Sequence, residues 1–503
     1  MERHTLRAGP LGCVLEDGAL RWMALQLPDG GEREVVRGVY AAVRDHNWGT
    51  PAPRFTRYDV DAREDSFSAR FTAEHVAGDI DLVWDGAIEG SADGTISFSM
   101  DALARSTFLT NRLGFCILHP MDAAGSTIEV EHTDGTVERG AFPVQISPHQ
   151  PFFDIAALRQ TFSGVRVETR FEGDVFEMED QRNWTDASYK TYCTPLARPY
   201  PLEVPTGTRI HQRVVVRAIR GVGGGASAAS DDPAKLVGGH GGAQRPPSVG
   251  VQLGASPTAQ ELELLRALRL SHLWLTLHLT NPQWESRLAQ AAKDAAQIGC
   301  PLEIEAVCGD TGAGIDGLAA RLAADKIAVS AVHVYPKSGV VTTEAVAKRA
   351  REVFTAARLS APIGGGSRAD FVNVNRATLP LPHLDFLTFA VNPQVHAFDD
   401  ASIMETIEAQ SVVLENAQRI AQGRPVRVGP ITLRQRLNPA ATGPEPPPAP
   451  DPRQRTDFCA EWTRRSLQAL AGAAALTYFE ATGPAGLMED GQPFPAYHAL
   501  AGR

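Results

Sequence analysis

The sequence predicts two domains: an antiparallel β-sandwich in residues 1–220 and a (β/α)8 barrel in residues 247–503. Three observations lead to this prediction. The chain has 503 residues, which is too many for one hydrophobic core. Its hydrophobic pattern changes from short alternating runs to repeated strand and helix patterns. Between these regions, residues 221–246 have the glycine-rich composition of a flexible linker.

The first region contains short runs in which apolar and polar residues alternate with a period of two. Examples are Ile96–Met100, Val165–Phe171 and Arg213–Ile219. Asp-Gly and Gly-Asp turns separate such runs. This pattern is typical of antiparallel strands with one buried face, and it predicts a sandwich and not a doubly wound sheet.

The second region repeats an apolar strand followed by an amphipathic helix, which is the pattern of parallel βαβ units. Eight strands are predicted: Ser248–Gly254, His272–Leu279, Pro301–Cys308, Ile327–Tyr335, Ser360–Gly364, Asp385–Asn392, Pro425–Leu433 and Ala475–Glu480. The helices between them include Gln260–Leu270, Arg287–Ile298, Thr343–Arg358 and Ser402–Gln422. Eight such units close a barrel.

Alternation within each strand indicates which side chains point into the barrel lumen. In the second strand, Leu273, Leu275, Leu277 and Leu279 share one parity and are expected to face the helices. The residues expected to face the lumen, or to lie at strand ends, are Gln252, Trp274, Thr276, His278, Glu303, Glu305, His333, Tyr335, Thr388, Asn392, Thr432, Arg434 and Glu480. Barrel enzymes keep their active sites at the carboxyl ends of the strands, where these groups converge.

We predict neither a metal nor another cofactor. His278, Glu305 and His333 could form a ligand set, but no HxH or HExxH spacing supports one. The sequence also contains no GxSxG elbow and no P-loop. Gly364–Ser367 resembles a phosphate-binding loop only superficially, and a tight turn after strand five accounts for it equally well.

Composition limits the classes of partner. The net charge is −11 and no basic run occurs, which argues against nucleic acid. No stretch approaches the roughly 18 apolar residues of a membrane span. The N-terminus lacks an apolar segment, and the six cysteines are scattered singly among mostly apolar neighbours. We therefore expect buried thiols in a cytoplasmic protein that binds a small neutral molecule, and we leave a homo-oligomer open.

Four phrases of the sequence resemble the bacterial D-apionate lactonase family: Asn111–Pro120, Glu177–Tyr192, Gly364–Arg376 and Asn392–Asp399. The resemblance runs from about Leu6 to the C-terminus. It implies a β-sandwich, a TIM barrel and hydrolysis of a five-membered sugar-acid lactone in apiose breakdown, from D-apionolactone to D-apionate. Family members often continue into a small C-terminal β domain, whereas this chain ends at Arg503.

Lactone hydrolysis needs an activated water, a group that stabilises the oxyanion, and a proton for the leaving ring oxygen. We expect His333 or His396 to be the general base and Glu305 or Glu480 to orient it or to act as the acid. Arg434 is the expected oxyanion donor. The side chains expected to bind the substrate, mainly through its hydroxyl groups, are Gln252, His278, Tyr335, Asn375, Asn392 and Gln394.

Two further segments are expected to lie near the site. The polar block from Glu179 to Lys190 is either a structural latch against the barrel or a part of its mouth, in which case Trp184 forms a wall and Lys190 supplies a charge. The proline-rich stretch Asn438–Pro452 follows strand seven and is either a lid or a solvated spacer.

Two other functional classes remain. A glycoside hydrolase could use Glu305 and Glu480 as its two carboxyl groups. However, the commonest barrel glycosidases carry glutamates after strands four and seven, where this chain has His333–Pro336 and Thr432–Arg434. A non-catalytic carbohydrate-binding protein would need an aromatic platform, and aromatic residues make up only 7% of the chain.

Overall fold

The computed structural model describes residues 2–220, 246–441 and 449–502. Residues 221–245 of the predicted linker and 442–448 of the proline-rich stretch lie outside the described residues. Among the residues described, the chain forms two compact units. The first holds the β domain up to residue 181 and residues 188–220, and the second holds the barrel together with residues 182–187.

The first unit is an all-antiparallel β domain, as predicted. Within residues 2–220 its strands are β1 His4–Ala8, β2 Leu11–Glu16, β3 Ala19–Gln26, β4 Glu32–Asp45, β5 Arg54–Ala62, β6 Phe67–Ala77, β7 Ile80–Ser91, β8 Thr95–Ala104, β9 Phe108–Pro120, β10 Thr127–His132, β11 Val137–Ala141, β12 Phe152–Phe162, β13 Val165–Glu172, β14 Phe176–Asp180, β15 Ser188–Tyr192, β16 Leu202–Val204 and β17 Arg209–Arg220.

The strand pairings arrange the β domain in two layers that meet at β12. One layer runs β5-β6-β7-β8-β17-β13-β12 and the other runs β1-β2-β3-β4-β9-β15-β14. The end of β12 pairs with β13, whereas its start pairs with β14. A register shift between Phe152 and Ile155 separates the two pairings. Alternate side chains of both layers are buried in one hydrophobic core, so the sandwich is a single sheet that folds over on itself.

The second unit contains a closed barrel of eight parallel strands, which confirms the predicted fold class. The barrel strands are β18 Ser248–Gln252, β19 His272–His278, β20 Leu302–Cys308, β21 Val329–Pro336, β22 Ile363–Gly366, β23 Phe386–Val391, β24 Val426–Ile431 and β25 Ala475–Glu480. The α-helices of the described residues are α1 Ala259–Ala267, α2 Trp284–Ile298, α3 Ile315–Asp325, α4 Glu344–Ala356, α5 Phe371–Arg376, α6 Asp400–Ala421, α7 Asp457–Ala469 and α8 Pro495–Ala501.

Local sequence accounts for several helix ends. Thr258 and Glu261 form a reciprocal capping box at the start of α1. Asp399 accepts a hydrogen bond from the amide of Ser402 and so begins α6. Gly299 ends α2 with a φ of 86°, a left-handed conformation that favours glycine.

Strand β22 corrects the prediction of a glycine turn. The glycines of Gly364–Gly366 lie within the strand and do not follow it. A Cβ atom on Gly364 would stand 2.1 Å from the ring of Phe386, and one on Gly365 would stand 2.2 Å from Thr342 Oγ1. Neighbouring side chains therefore occupy the space, and only glycine fits.

Candidate active site

Two glutamates and three arginines interact at the carboxyl ends of the barrel strands. They are Glu305 of β20, Glu480 of β25, Arg287 near the start of α2, Arg368 after β22 and Arg436 after β24, and we call them the strand-end cluster. Barrel enzymes hold their catalytic groups at this end of the strands. Sequence reasoning predicted both glutamates and missed all three arginines.

Glu305 is a buried carboxylate held by two arginines. Its Oε1 accepts a hydrogen bond of 2.7 Å from Arg368 Nε, and Arg436 Nη2 lies 3.5 Å from its Oε2. Burial alone would raise the pKa of Glu305, but the charges of Arg368 and Arg436 outweigh burial and hold the pKa below its ordinary value. Glu305 is therefore ionised at neutral pH.

Glu480 belongs to the same cluster, but its pKa is displaced in the opposite direction. Its side chain is half-buried, and this burial raises the pKa of Glu480 above its ordinary value, although Arg436 and Arg287 act in the other direction. A carboxyl with a raised pKa is a better proton acceptor near neutrality than an ordinary one. Of the two glutamates, Glu480 is the one suited to proton transfer.

A bulge in β25 turns Glu480 toward the lumen. Tyr478 donates a hydrogen bond to Ser466 of α7, and the ring of Phe479 lies 6.5 Å from that of Trp462 on the same helix. Two successive residues thus face the helix, which strict alternation forbids. Phe479 has a φ of 42°, and the register with β18 shifts so that Gln252 pairs with Glu480. Bulges of this kind re-aim side chains next to active sites.

His278 and Tyr335 lie beside the cluster. Partial burial and the charge of Arg368, with a smaller contribution from Arg287, lower the pKa of His278 and together outweigh the opposing effect of Glu305, so the imidazole is neutral at pH 7. Tyr335 is buried near Glu305, and burial raises its pKa well above its ordinary value. Its phenol therefore stays protonated and can donate a hydrogen bond.

His333 takes part in a second buried network, centred on Glu303. His333 Nε2 lies 2.6 Å from Glu303 Oε1, His272 Nε2 lies 3.4 Å from Glu303 Oε2, and Arg427 donates to both carboxylate oxygens. Burial opposes the charge on Glu303, but His272, His333 and Arg427 outweigh it and hold the pKa well below its ordinary value. Burial lowers the pKa of His333. His333 therefore donates from Nε2 to an ionised carboxylate.

A third group of polar side chains follows β23 and β24. Asn392 and Gln435 donate to the two carboxylate oxygens of Asp370 at 2.8 and 2.9 Å. Burial raises the pKa of Asp370 to about 7, and Asp186 adds to the effect. Gln394 donates to Asp451 at 2.8 Å. Asn392 and Gln394, both expected to bind substrate, are thus bonded to carboxylates of the protein.

Arg434, the expected oxyanion donor, lies with this third group. Its Nε is 3.1 Å from Asp451 Oδ2, and its guanidinium lies 5.7 Å from the ring of Phe398. Asp451 also pairs with Arg453, and the pKa of Asp451 falls to about 2 despite burial. Arg434 therefore neutralises a carboxylate, and Arg436, two residues later, is the arginine that contacts Glu305.

Residues 182–187 bring three of the four remaining candidates into a separate group. His396 Nδ1 lies 2.6 Å from Asp186 Oδ2, and the rings of Trp184 and His396 meet edge to face at 5.3 Å. Asn375 donates a hydrogen bond of 2.9 Å to Asn183. Lys190 belongs to the first unit, where it pairs with Glu179. The structure thus places His396, Trp184 and Asn375 together and Lys190 elsewhere.

The described residues contain no group of three or more His, Cys, Asp and Glu side chains that could hold a metal ion. In the same residues, no helix is both long enough and apolar enough to cross a membrane. All six cysteines are buried free thiols, as expected.

Comparison with known proteins relates both units to one family. A family model described as "D-apionate lactonase, N-terminal domain" matches residues 1–221, and one described as "D-apionate lactonase, TIM barrel domain" matches residues 250–503. A D-apionate lactonase of Brucella anthropi is 33% identical over 517 aligned residues, which cover 97% of this chain and 84% of the relative.

Solved structures give weaker matches. A Ruminococcus gnavus β-glucuronidase is 11% identical with a TM-score of 0.35, covering 95% of this chain and 74% of its own. A C. elegans GalM/aldose epimerase homologue is 9% identical with a TM-score of 0.29, covering 44% of this chain and 99% of its own. Both TM-scores are too low to establish a shared fold. The two family models and the curated relative, in contrast, span nearly the whole sequence, and the chain belongs to the D-apionate lactonase family.

Proposed function

We propose that this chain is a lactonase, a carboxylic ester hydrolase that converts D-apionolactone to D-apionate. Its family and its relative from Brucella anthropi support this activity. One observation carries the assignment of roles: Glu305 and Glu480 have pKa values displaced in opposite directions although both lie near Arg436. Such a pair separates a permanently charged carboxylate from one that exchanges protons.

Glu480 is the proposed general base. Its carboxylate takes a proton from water as the water oxygen attacks the lactone carbonyl carbon. Arg436 and Arg287 stabilise the negative charge that develops on the carbonyl oxygen. When the ring C–O bond breaks, Glu480 returns the proton to the leaving oxygen, and the new carboxylic acid releases a proton to solvent.

Glu305 has a positioning role in this mechanism. Its fixed negative charge holds Arg368 and Arg436 at the strand ends, where Arg436 also faces Glu480. Tyr335, with its protonated phenol, is a hydrogen-bond donor for the substrate. Neither a covalent intermediate nor a catalytic serine or cysteine is required, because Glu480 serves first as base and then as acid, and the arginines stabilise the developing charge.

We further propose that the enzyme works in the cytoplasm on a small lactone. The six buried thiols support a reducing compartment, because secreted proteins usually pair their cysteines.

Acid release from purified protein tests this function. The substrates are D-apionolactone, D-erythronolactone, γ-butyrolactone and a set of aryl glycosides, followed with a pH indicator and, for the glycosides, by aryl alcohol release. We expect hydrolysis of the hydroxylated five-membered lactones and no release from the glycosides. Cleavage of an aryl glycoside without turnover of any lactone would instead make Glu305 and Glu480 a glycosidase pair.

A further inference from the structure

Several polar atoms in the barrel lumen are buried without a hydrogen-bond partner. In the part of the chain that the structure describes, they include Trp274 Nε1, Thr276 Oγ1, His333 Nδ1 and Thr388 Oγ1. Glu305 Oε2 also lacks a hydrogen bond, although Arg436 lies 3.5 Å away in an ion pair, and we call these five atoms the lumen group. Buried polar atoms in proteins almost always have a partner. Five such atoms in one lumen indicate that a polar ligand or water forms hydrogen bonds with them.

The members of this group lie on β19, β20, β21 and β23. Thr276, Glu305 and His333 are register partners on β19, β20 and β21. The ring of Trp274 lies 4.3 Å from that of His333. The ring of Phe386 lies 4.8 Å from that of His333. Thr388 is two residues after Phe386 and therefore lies on the same face of β23. The group therefore lines one side of the lumen and reaches the strand-end cluster through Glu305.

The chemistry of these atoms specifies what they bind. Trp274 Nε1 can only donate a hydrogen bond, and the ionised Glu305 Oε2 can only accept one. Because the neutral His333 donates from Nε2 to Glu303, its Nδ1 carries a lone pair and also accepts. The two threonine hydroxyls do either. A carboxylate cannot donate to Glu305, and an ammonium group cannot accept from Trp274, whereas an alcohol hydroxyl does both.

We propose that the lumen group is the subsite for the substrate's hydroxyl groups, and that Trp274, Thr276, Thr388 and His333 determine specificity for a polyhydroxylated lactone. With its hydroxylated side held there, the lactone presents its carbonyl to Arg436 and Glu480. The inference rests on the proposed lactonase function. It gives His333 a binding role instead of the proton transfer expected from the sequence.

Isosteric removal of the threonine hydroxyls tests the subsite. The variants are Thr276→Val and Thr388→Val, and the readout is the ratio of kcat/KM for D-erythronolactone to that for γ-butyrolactone, which has no hydroxyl groups. We expect this ratio to fall about 10- to 100-fold in each variant. Thr276→Ser and Thr388→Ser keep a hydroxyl and should restore most of the ratio. Thr463→Val, at a buried position of α7, is the matched control and should leave the ratio unchanged.

A binding experiment separates failure of the subsite from failure of the function. Glu480→Gln protein, alone and combined with Thr276→Val or Thr388→Val, is titrated calorimetrically with D-erythronolactone. The subsite predicts weaker binding in the combined variants, whether or not the wild type turns over any lactone. If the threonine variants change neither the ratio nor the binding, ordered water fills the lumen and the proposal is overturned. An equal loss on both lactones would also overturn it, because it would indicate a structural role.

Discussion

Glu305 and Glu480 share the charge of Arg436, yet the pKa of Glu305 is lowered and that of Glu480 is raised. The difference lies in their other partners. Glu305 accepts a hydrogen bond directly from Arg368. Glu480 interacts with Arg287 only through space, so the effect of burial prevails. Two carboxyls from opposite halves of the barrel sequence thereby acquire different chemical roles.

Replacing Glu480 by Gln should abolish most of the activity. Loss of a general base lowers kcat by about 10²–10⁴-fold. The wild-type rate should rise with pH as Glu480 loses its proton, at a pKa above the ordinary value for glutamate, and this acidic limb should disappear in Glu480→Gln. Rate profiles from pH 4 to 9 measure both effects. Glu352→Gln, on the exposed side of α4, is the control. A retained acidic limb would assign the base to another group.

Replacing Arg436 by Gln should lower the rate and raise the pKa of Glu480. Without this charge the oxyanion loses a donor, and we expect kcat to fall about 10²–10³-fold. The pKa of Glu480 should rise further, because Arg436 now lowers it, so the acidic limb should move to higher pH. Arg434→Gln is a matched comparison that leaves Asp451 paired with Arg453 and Gln394. Similar losses in both variants would contradict the assignment of Arg436.

The barrel could be predicted from sequence because its strands carry a strong local pattern. The leucines of β19 alternate with Trp274 and Thr276, and burial against helices imposes this parity. All eight predicted strands overlap the observed ones, and Ala475–Glu480 agrees at both ends. The prediction of a turn at the glycines of β22 was wrong because the side chains of Phe386 and Thr342, which are distant in sequence, leave no space for a Cβ atom there.

The active site could be predicted only in part. Glu305 was accessible to reasoning because it lies inside a regular strand. Arg368 and Arg436 lie beyond strand ends, where no periodicity tells which side chain turns inward, and Arg434 was a plausible choice for the same reason. The alternation of β25 would also have directed Glu480 toward α7. Only the bulge at Phe479, a tertiary feature, reverses that direction.

Gly254 provides a test of how closely Glu480 must be held. A Cβ atom at this position would lie 3.0 Å from Glu480 Oε2 and 3.2 Å from its Cδ, so Gly254→Ala should push the carboxyl aside. Displacement of a catalytic group by about 1 Å can cost on the order of 10²-fold in rate. We therefore expect a lower kcat at an unchanged melting temperature. Gly12→Ala, whose Cβ would meet no atom within 4 Å, is the control. An unaltered kcat would mean that Glu480 tolerates the shift.

Asp370 should make the stability of the protein depend on pH. Its pKa is about 7 in the folded chain, against roughly 3.9 when unfolded. The folded state therefore binds more protons between these values, and the stability falls as pH rises from about 4 through 7. Asp370→Asn keeps the side chain neutral at every pH. The melting temperature of the variant should therefore exceed that of the wild type, and the difference should be larger at pH 8 than at pH 5. Calorimetric melting at both values measures this difference, with Asp316→Asn on α3, a surface partner of Arg349, as control. A variant that is destabilised equally at both pH values would show that Asn392 and Gln435 require the ionised carboxylate.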